Sequence, residues 1–552
     1  MAGVTFPASN AVDFLVIGAG AAGGVIAKEV AVAGFRVVVL EQGPYLRDAD
    51  FSHDEIKYAF LPGLTNDPRL QPITYRKSEA DRARPVKAIE YGRQVGGGTV
   101  HFTGNYWRFH ESDFRERSLF GAVSGADLAD WPIAYSDLEP YYTKAEYDLG
   151  ISGLAGANPF EAPRSKPYPV PPMPVKGSGV LFDRAAKKLG LHPFPAPVAI
   201  LSRPYQGRAA CANCGFCESF GCEMRAKSST LVSVIPVAEK TGRCEIRPHC
   251  YVRKIQTDDA GRATGAIYFD RDRREIFQHA KVVFVCANGA ETPKLLLMSK
   301  SKRFPDGLAN SSGLVGKYLM WDNGAPAQGL FEHPLNEYKG IQVTRLIHDY
   351  YAADPKRGFY GGGGIDARFD FYPAGFALHG LPPDAPRWGS EYKKMFETYF
   401  TRTMMLLSHT TSLAQAKNTI TLDPEVKDDW GLPAVRVTCD YHPDDVATMK
   451  WLMAKQIEIL QAAGAQKTWS QPYDIADNMP SRHLMGTCRM GHDPRSSVVN
   501  VYSRTHDVPN LFLVDGSNFV TSGRQQPTAT IQALAYRAAD YAIQATKRGD
   551  LG

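Results

Sequence analysis

The chain has 552 residues, 44% of them hydrophobic and 22% charged, with 63 Lys and Arg against 58 Asp and Glu for a formal net charge of +5. That length buries a large core and divides into more than one domain, while the composition excludes an extended disordered chain and a clustered basic nucleic-acid surface. No apolar run reaches the roughly 18 residues of a membrane-spanning helix, and with no Lys or Arg before Lys28 the N-terminus does not read as a secretory signal.

Taken in chain order, Phe14–Ile17 is a short apolar run ending in glycines and reads as a buried strand. Ala21–Ala33 reads as a small-residue helix stopped by Gly34, and Arg36–Leu40 as a second strand, which makes a β-α-β unit. Between strand and helix lies the pattern GxGxxG at Gly18, Gly20 and Gly23. The first glycine allows a tight turn, the second lets a pyrophosphate approach the backbone, and the third lets helix and strand pack closely. The helix N-terminus adds N–H donors and a favourable dipole. Glu41, 23 residues after Gly18, stands where an acid accepts ribose hydroxyls. The unit predicts a bound dinucleotide and does not by itself separate NAD from FAD.

Further on, Pro163–Pro174 is proline-rich and reads as an extended surface connection. Four of the nine cysteines, Cys211, Cys214, Cys217 and Cys222, follow in the pattern C-x2-C-x2-C-x4-C. This spacing wraps one loop around a compact multi-metal centre, as thiolate-ligated iron–sulfur clusters require. Zinc, which ordinarily draws on a second distant pair, and disulfides, which need an oxidising compartment, are the alternatives. The other five cysteines are scattered and read as buried thiols. Aromatic and polar residues between Phe359 and Tyr372 are candidates for a sugar pocket or for simple packing. Thr419–Leu422 and Ala434–Thr438 read as a strand pair, followed by a helix capped by Asp444 or Asp445 and ended by Gly464. Leu511–Val514 reads as a buried strand and Thr528–Ala545 as a small-residue helix, so both ends of the chain contribute to one nucleotide-binding domain with a second domain inserted.

Three further segments carry a resemblance. Gly92-Arg93-Gln94-Val95-Gly96-Gly97-Gly98-Thr99, Asn288-Gly289-Ala290-Glu291-Thr292-Pro293 and Asn510–Ser517 resemble, in this order, the signatures of the glucose–methanol–choline (GMC) flavin oxidoreductases. The resemblance implies an α/β fold: a Rossmann-like FAD-binding domain from residues 1–50, 230–320 and 480–552, with an inserted α+β substrate domain on an antiparallel sheet from 51–229 and 321–479. It implies FAD as cofactor, met by Arg93, Gly97, Thr99, Asp515 and Gly516. His101 stands where several members bond the flavin covalently, and packing beside the ring is the other reading. His483, in His483-Leu484-Met485-Gly486-Thr487-Cys488, stands where the family places its catalytic base, a task suited to an imidazole that titrates near pH 6.5. Before the Pro-Thr of the last helix the family usually has Asn or His, and this chain has Gln526, whose extra methylene displaces the amide by roughly 1.5 Å. Either the substrate sits differently, or Gln525 or Arg524 shares the role. Met320-Trp321-Asp322-Asn323 departs from the family's usual Asp-His pair, another sign of an altered pocket.

The cysteine cluster, the run RPYQGRAAC ending at Cys211 and the stretch Asp130–Tyr142 are similar to the iron–sulfur-containing bacterial sugar dehydrogenases of that family, the catalytic subunits of gluconate, fructose, FAD-dependent glucose and glycoside 3-dehydrogenases. That likeness implies Cys211, Cys217 and Cys222 as ligands with Cys214 as a candidate fourth, and leaves 3Fe-4S and 4Fe-4S both open. It implies oxidation of a ring hydroxyl of a sugar or glycoside, with C3 as a candidate position. Electrons would leave through the cluster to a cytochrome c or a quinone-linked acceptor, beside a small companion subunit. Periplasmic location by co-export with such a subunit and cytoplasmic location are both compatible. An oxygen-using FAD oxidase, a gluconate 2-dehydrogenase-type subunit and a non-catalytic redox protein are the alternatives.

Overall fold

The structure is a computed structural model and describes residues 4–87, 89–321, 323–470, 479 and 481–551, so Asp322 lies outside the described residues. Strand Val12–Ile17 is apolar and buried except at Asp13, as suits a central parallel strand. It pairs in parallel with Val37–Leu40 on one side and with Glu275–Val285 on the other. Val37–Leu40 pairs onward with Cys244–Arg247, and the C-terminal strand Leu511–Leu513 adds to Glu275–Val285, also in parallel. Antiparallel strands Ala263–Phe269 and Tyr251–Thr257 complete seven strands. Helices Ala21–Val32 and Thr528–Lys547 pack against each other, so the two ends of the chain close one layer.

The second sheet has six strands, in the order Lys467–Ser470, Pro326–Leu330, Thr403–Thr410, Gly363–Arg368, Arg345–Ile347 and Phe194–Pro195, and each pairing is antiparallel. Period-2 alternation gives it two unlike faces. Ile365, Ala367, Met404 and Leu406 pack against Phe182, Leu452, Ile459 and Leu460 of helices Gly177–Lys188 and Pro443–Ala462. The opposite face carries Asp366, Arg368, Leu407 and His409, with Gly364 opposite His409 and Asp366 opposite Leu407 in register. An antiparallel second sheet is what the family resemblance implies.

A third sheet runs Thr419–Lys427, Pro433–Thr438, Ile73–Arg76 and Arg84–Val86. Its first strand extends beyond the expected Leu422, with an irregularity between Leu422 and Lys427. The following turn is tightened by Asp428, whose Oδ1 accepts from Trp430 N at 3.0 Å and Leu432 N at 2.9 Å. The helix expected to be capped by Asp444 or Asp445 starts at Pro443 and is capped by His442, whose Nδ1 accepts from Asp444 N at 3.1 Å. The two aspartates sit in the first turn, where carboxylates complement the helix dipole. Gly464, at φ +95°, ends this helix as expected.

Candidate active site

The loop after Val12–Ile17 and the first signature meet at a cavity of about 460 Å³ that runs from the nucleotide cradle to the polar face of the second sheet. Gly18 holds φ +94°, and a Cβ there would lie 2.5 Å from Cys286 O, so the turn admits only glycine. Gly97, at φ +52°, brings the first signature onto the cradle: a Cβ on it would lie 2.7 Å from the Cα of Gly20. Gly23 backs onto Gly18 O. Gly97→Ala is therefore expected to weaken FAD retention about 10-fold or more, read as flavin absorbance per mole of purified protein.

Glu41 is buried on the cavity wall, with Oε2 accepting from Ala19 N and Oε1 from Gly43 N, both at 2.9 Å. Burial pushes its carboxyl up to about 7. Each oxygen keeps a second lone pair, so a ribose hydroxyl fits beside it. Thr99 Oγ1 donates to Gly96 O at 2.6 Å and fixes the signature turn. Asp515 clasps the other two signatures together: Oδ2 accepts from Asn288 N at 3.0 Å and Thr292 Oγ1 at 2.6 Å, and Oδ1 from Ser517 N at 2.8 Å. Thr99, Asp515 and Gly516 all line the cavity. Arg93 does not. Its guanidinium lies 5.6 Å from the ring centre of Trp430, and it reaches the cradle only as a charge near Glu41. Bare glycine backbone, a ribose-binding acid and a helix N-terminus facing one cavity fit FAD.

His101 lines the same cavity, and its Nε2 is buried with no hydrogen-bond partner among the described residues. Burial, reinforced by the charges of Arg482 and Lys227, pushes its imidazole down to about 3, so it is neutral.

At the far end the cavity is polar. His483 lines it with φ +56°, a left-handed conformation that costs a residue with a side chain on the order of 1 kcal/mol or more and is characteristic of working sites. Its neighbour Arg482 anchors the segment by ion pairs to Glu218 and, at 3.2 Å, to Glu90. Gln526, just before the last helix, faces the same cavity. Its Nε2 lies 2.9 Å from the ring nitrogens of His409, and its buried Oε1 has no partner among the described residues. Arg524 and Gln525 are not alternatives to it. Arg524 is fully buried in ion pairs with Asp113 and Glu116, both at 2.9 Å, and Gln525 Nε2 donates to Arg108 O, away from the cavity.

Of the polar residues expected between Phe359 and Tyr372, Asp370 lines the cavity as a candidate should; Asp366, Arg368 and His409, which complete this wall, are not singled out by the sequence. Arg368 donates to Asp366 at 2.6 and 2.5 Å and to Asp370 at 2.9 Å, and lies 3.0 Å from His409 Nε2. Burial pushes Asp370 up to about 6 against the pull of Arg368. The legible signal was the alternation Asp366-x-Arg368-x-Asp370, which sets like positions of an extended segment on one side. The aromatics of the same stretch pack instead: Phe369 and Phe371 against Phe376, and Tyr372 stacked on Phe216 at 5.2 Å.

The cysteine loop lies beside this wall. Ser219 N donates to His101 O at 2.7 Å, and buried Lys227 Nζ donates to Phe102 O at 3.0 Å and Phe220 O at 2.7 Å. Cys217 is buried, Cys211 and Cys222 half-buried, and Cys214 exposed. The donor chemistry, four thiols in one loop over a buried ammonium, suits thiolate-bound iron. Among the described residues, no group of three or more His, Cys, Asp or Glu side chains is placed so that it could hold a metal ion. Cys244, Cys250, Cys286, Cys439 and Cys488 are buried thiols, as expected.

A dinucleotide cradle that opens directly onto a pocket holding an imidazole and an amide has the layout of a flavin-linked oxidoreductase. Comparison with known proteins bears this out. The N-terminal GMC oxidoreductase model matches residues 12–320 and the C-terminal one residues 414–535, and the chain belongs to the GMC oxidoreductase family. It is 37% identical to the 2-methyl-1,2-propanediol dehydrogenase of Mycolicibacterium austroafricanum over 96% of this chain and 94% of that one. It is 30% identical to the fructose dehydrogenase large subunit of Gluconobacter japonicus, covering 97% and 98%. The fold matches that of formate oxidase from Aspergillus oryzae RIB40 with a TM-score of 0.67 at 15% identity, covering 98% and 99%.

Proposed function

We propose that the chain is an FAD-dependent dehydrogenase that oxidises a ring hydroxyl of a sugar or glycoside, with C3 as the candidate position. The observation that carries this reading is the shared cavity: His483 and Gln526 face the space that continues into the nucleotide cradle. Bound there, FAD supplies the acceptor for a hydride leaving the substrate C–H bond. His483 takes the hydroxyl proton on its imidazole. The second N–H of Gln526 Nε2 donates to the substrate oxygen, while His409 holds the first. Arg482, clamped by Glu218 and Glu90, keeps the backbone of His483 in place.

Cys211, Cys217 and Cys222, with Cys214 as a fourth candidate, would hold an iron–sulfur cluster, a one-electron carrier of the 3Fe-4S or 4Fe-4S type. Their spacing and the contact of their loop with His101 support this. A companion subunit and a cytochrome c or quinone-linked acceptor suit such an outlet, in keeping with a relative described as a large subunit. A second reading, oxidation of a small aliphatic diol, is favoured by the 37% identical propanediol dehydrogenase.

Anaerobically purified protein, given sugars, glycosides and small diols with an artificial electron acceptor, tests the reading. Bleaching of bound flavin by one of these classes is expected. Peroxide formed at full rate without the mediator would make the protein an oxidase. Iron and acid-labile sulfide near three or four atoms per chain are expected, and negligible amounts would remove the cluster.

A further inference from the structure

Two buried acceptors on the cavity wall have no hydrogen-bond partner among the described residues: Gln526 Oε1 and Asp370 Oδ1. A buried acceptor left unpaired is costly and calls for an explanation. Gln526 is only 6% exposed and Asp370 is half-buried, and both line the cavity that holds His483. They are joined by a continuous polar chain along one sheet face: Gln526 to His409, His409 to Arg368, and Arg368 to Asp370. The other oxygen of Asp370 accepts from Arg368 at 2.9 Å, which fixes the side chain. Oδ1 is the oxygen this wall leaves over.

The charges around it point to the kind of group that fits. Glu90, Glu218 and Asp370 line the cavity with Arg368 and Arg482, and Asp366 stands behind Arg368, so carboxylates outnumber guanidiniums on this wall. Both guanidiniums are already taken, Arg368 by Asp366 and Asp370, and Arg482 by Glu218 and Glu90. Among the described residues both guanidiniums of this wall are paired to carboxylates, so an anionic substrate finds no unpaired guanidinium here, whereas Asp370 Oδ1 is an acceptor without a partner.

We propose that Asp370 is the specificity-determining residue of this pocket: its Oδ1 accepts a hydrogen bond from a second substrate hydroxyl, so the cavity selects neutral diols and polyols over mono-alcohols and hydroxy acids. This rests on the reading of the pocket as an alcohol-oxidising site and deepens it. A site built to bond a hydroxyl rejects the analogue that lacks it, because its own buried polar group is then left unpaired. A hydrogen bond to a charged group accounts for about 10–100-fold in affinity.

The test compares trans-1,2-cyclohexanediol, cyclohexanol and 2-hydroxycyclohexanecarboxylate, with an artificial acceptor, on the FAD-loaded wild type and on Asp370→Ala and Asp370→Asn. Arg368 keeps Asp366 as its partner in both variants. The wild type is expected to prefer the diol over either analogue by about 10-fold or more in kcat/KM. Asp370→Ala is expected to bring the diol-to-alcohol ratio close to one, chiefly through KM, with Asp370→Asn retaining part of the preference. Equilibrium binding of the diol, followed by protein fluorescence, should weaken in parallel. Equal wild-type rates on diol and mono-alcohol, or a ratio that Asp370→Ala leaves unchanged, would overturn the proposal while leaving alcohol oxidation intact. If both variants fail to fold, the wild-type ratio decides. A wild type that oxidises none of the probes overturns it too, and only if sugars, glycosides and small diols also fail does the underlying reading fall with it.

Discussion

His483→Asn is expected to lower kcat/KM by about 10²–10⁴-fold, the range lost with a positioned proton acceptor, while FAD stays bound. Asparagine is the informative replacement because position 483 holds φ +56°, a conformation it tolerates better than other residues with a side chain. The backbone then stays where Arg482, Glu218 and Glu90 hold it, and only the ability to take up a proton is lost. The defect should shrink as pH rises, because solvent hydroxide increasingly does the work of the missing base. Anaerobic stopped-flow mixing reads it directly as the rate of flavin bleaching. A variant that bleaches at the wild-type rate would remove His483 from the proton transfer.

Arg524→Ala is expected to destabilise the fold by about 3–5 kcal/mol, the cost of breaking a buried ion pair and leaving charge uncompensated. Arg524 is fully buried. Its Nη1 lies 2.9 Å from both Asp113 Oδ1 and Glu116 Oε1, and its Nη2 lies 3.2 Å from the Tyr360 hydroxyl. Burial, with the charge of Asp113 adding to it, already pushes Glu116 up to about 7 against the pull of the guanidinium. Without Arg524, both carboxyls must be protonated to stay buried. Their folded pKa values then stand further above the unfolded ones, so the variant keeps most stability at low pH and loses it as pH rises. Denaturant unfolding at about pH 5.5 and about pH 8 should show the larger deficit at the higher pH. Because Gln525 and Gln526 follow directly, the folded fraction should also lose activity as the amide shifts from the pocket.

The nucleotide half of the molecule was legible because its chemistry is local. A glycine pattern, an acid at the right interval and two apolar strands specify the β-α-β unit with no knowledge of distant contacts. The wall of the pocket was not legible in the same way. Asp366 and Arg368 meet His409 only because Gly363–Arg368 pairs with Thr403–Thr410 in a register that sets Gly364 opposite His409. Nothing in either strand announces that partner. Between Phe359 and Tyr372 the two sequence expectations divide by residue type: Phe369, Phe371 and Tyr372 pack, while Arg368 and Asp370 line the cavity. Strand Thr419–Lys427 outruns the Thr419–Leu422 that the sequence predicts because Asp423 looks like loop material. It is instead bound by Thr74 Oγ1 at 2.7 Å and Arg436 Nη2 at 3.1 Å, partners supplied by neighbouring strands.

The strand Leu511–Leu513 completes a sheet that Val12–Ile17 begins. During translation this β-α-β unit leaves the ribosome long before the strand and helix that cover it, and until they arrive the edge at Val283–Val285 is bare and apolar. Exposed apolar surface of that kind favours aggregation, so truncation ahead of Asn510 is expected to give an aggregation-prone product rather than a smaller working flavoprotein.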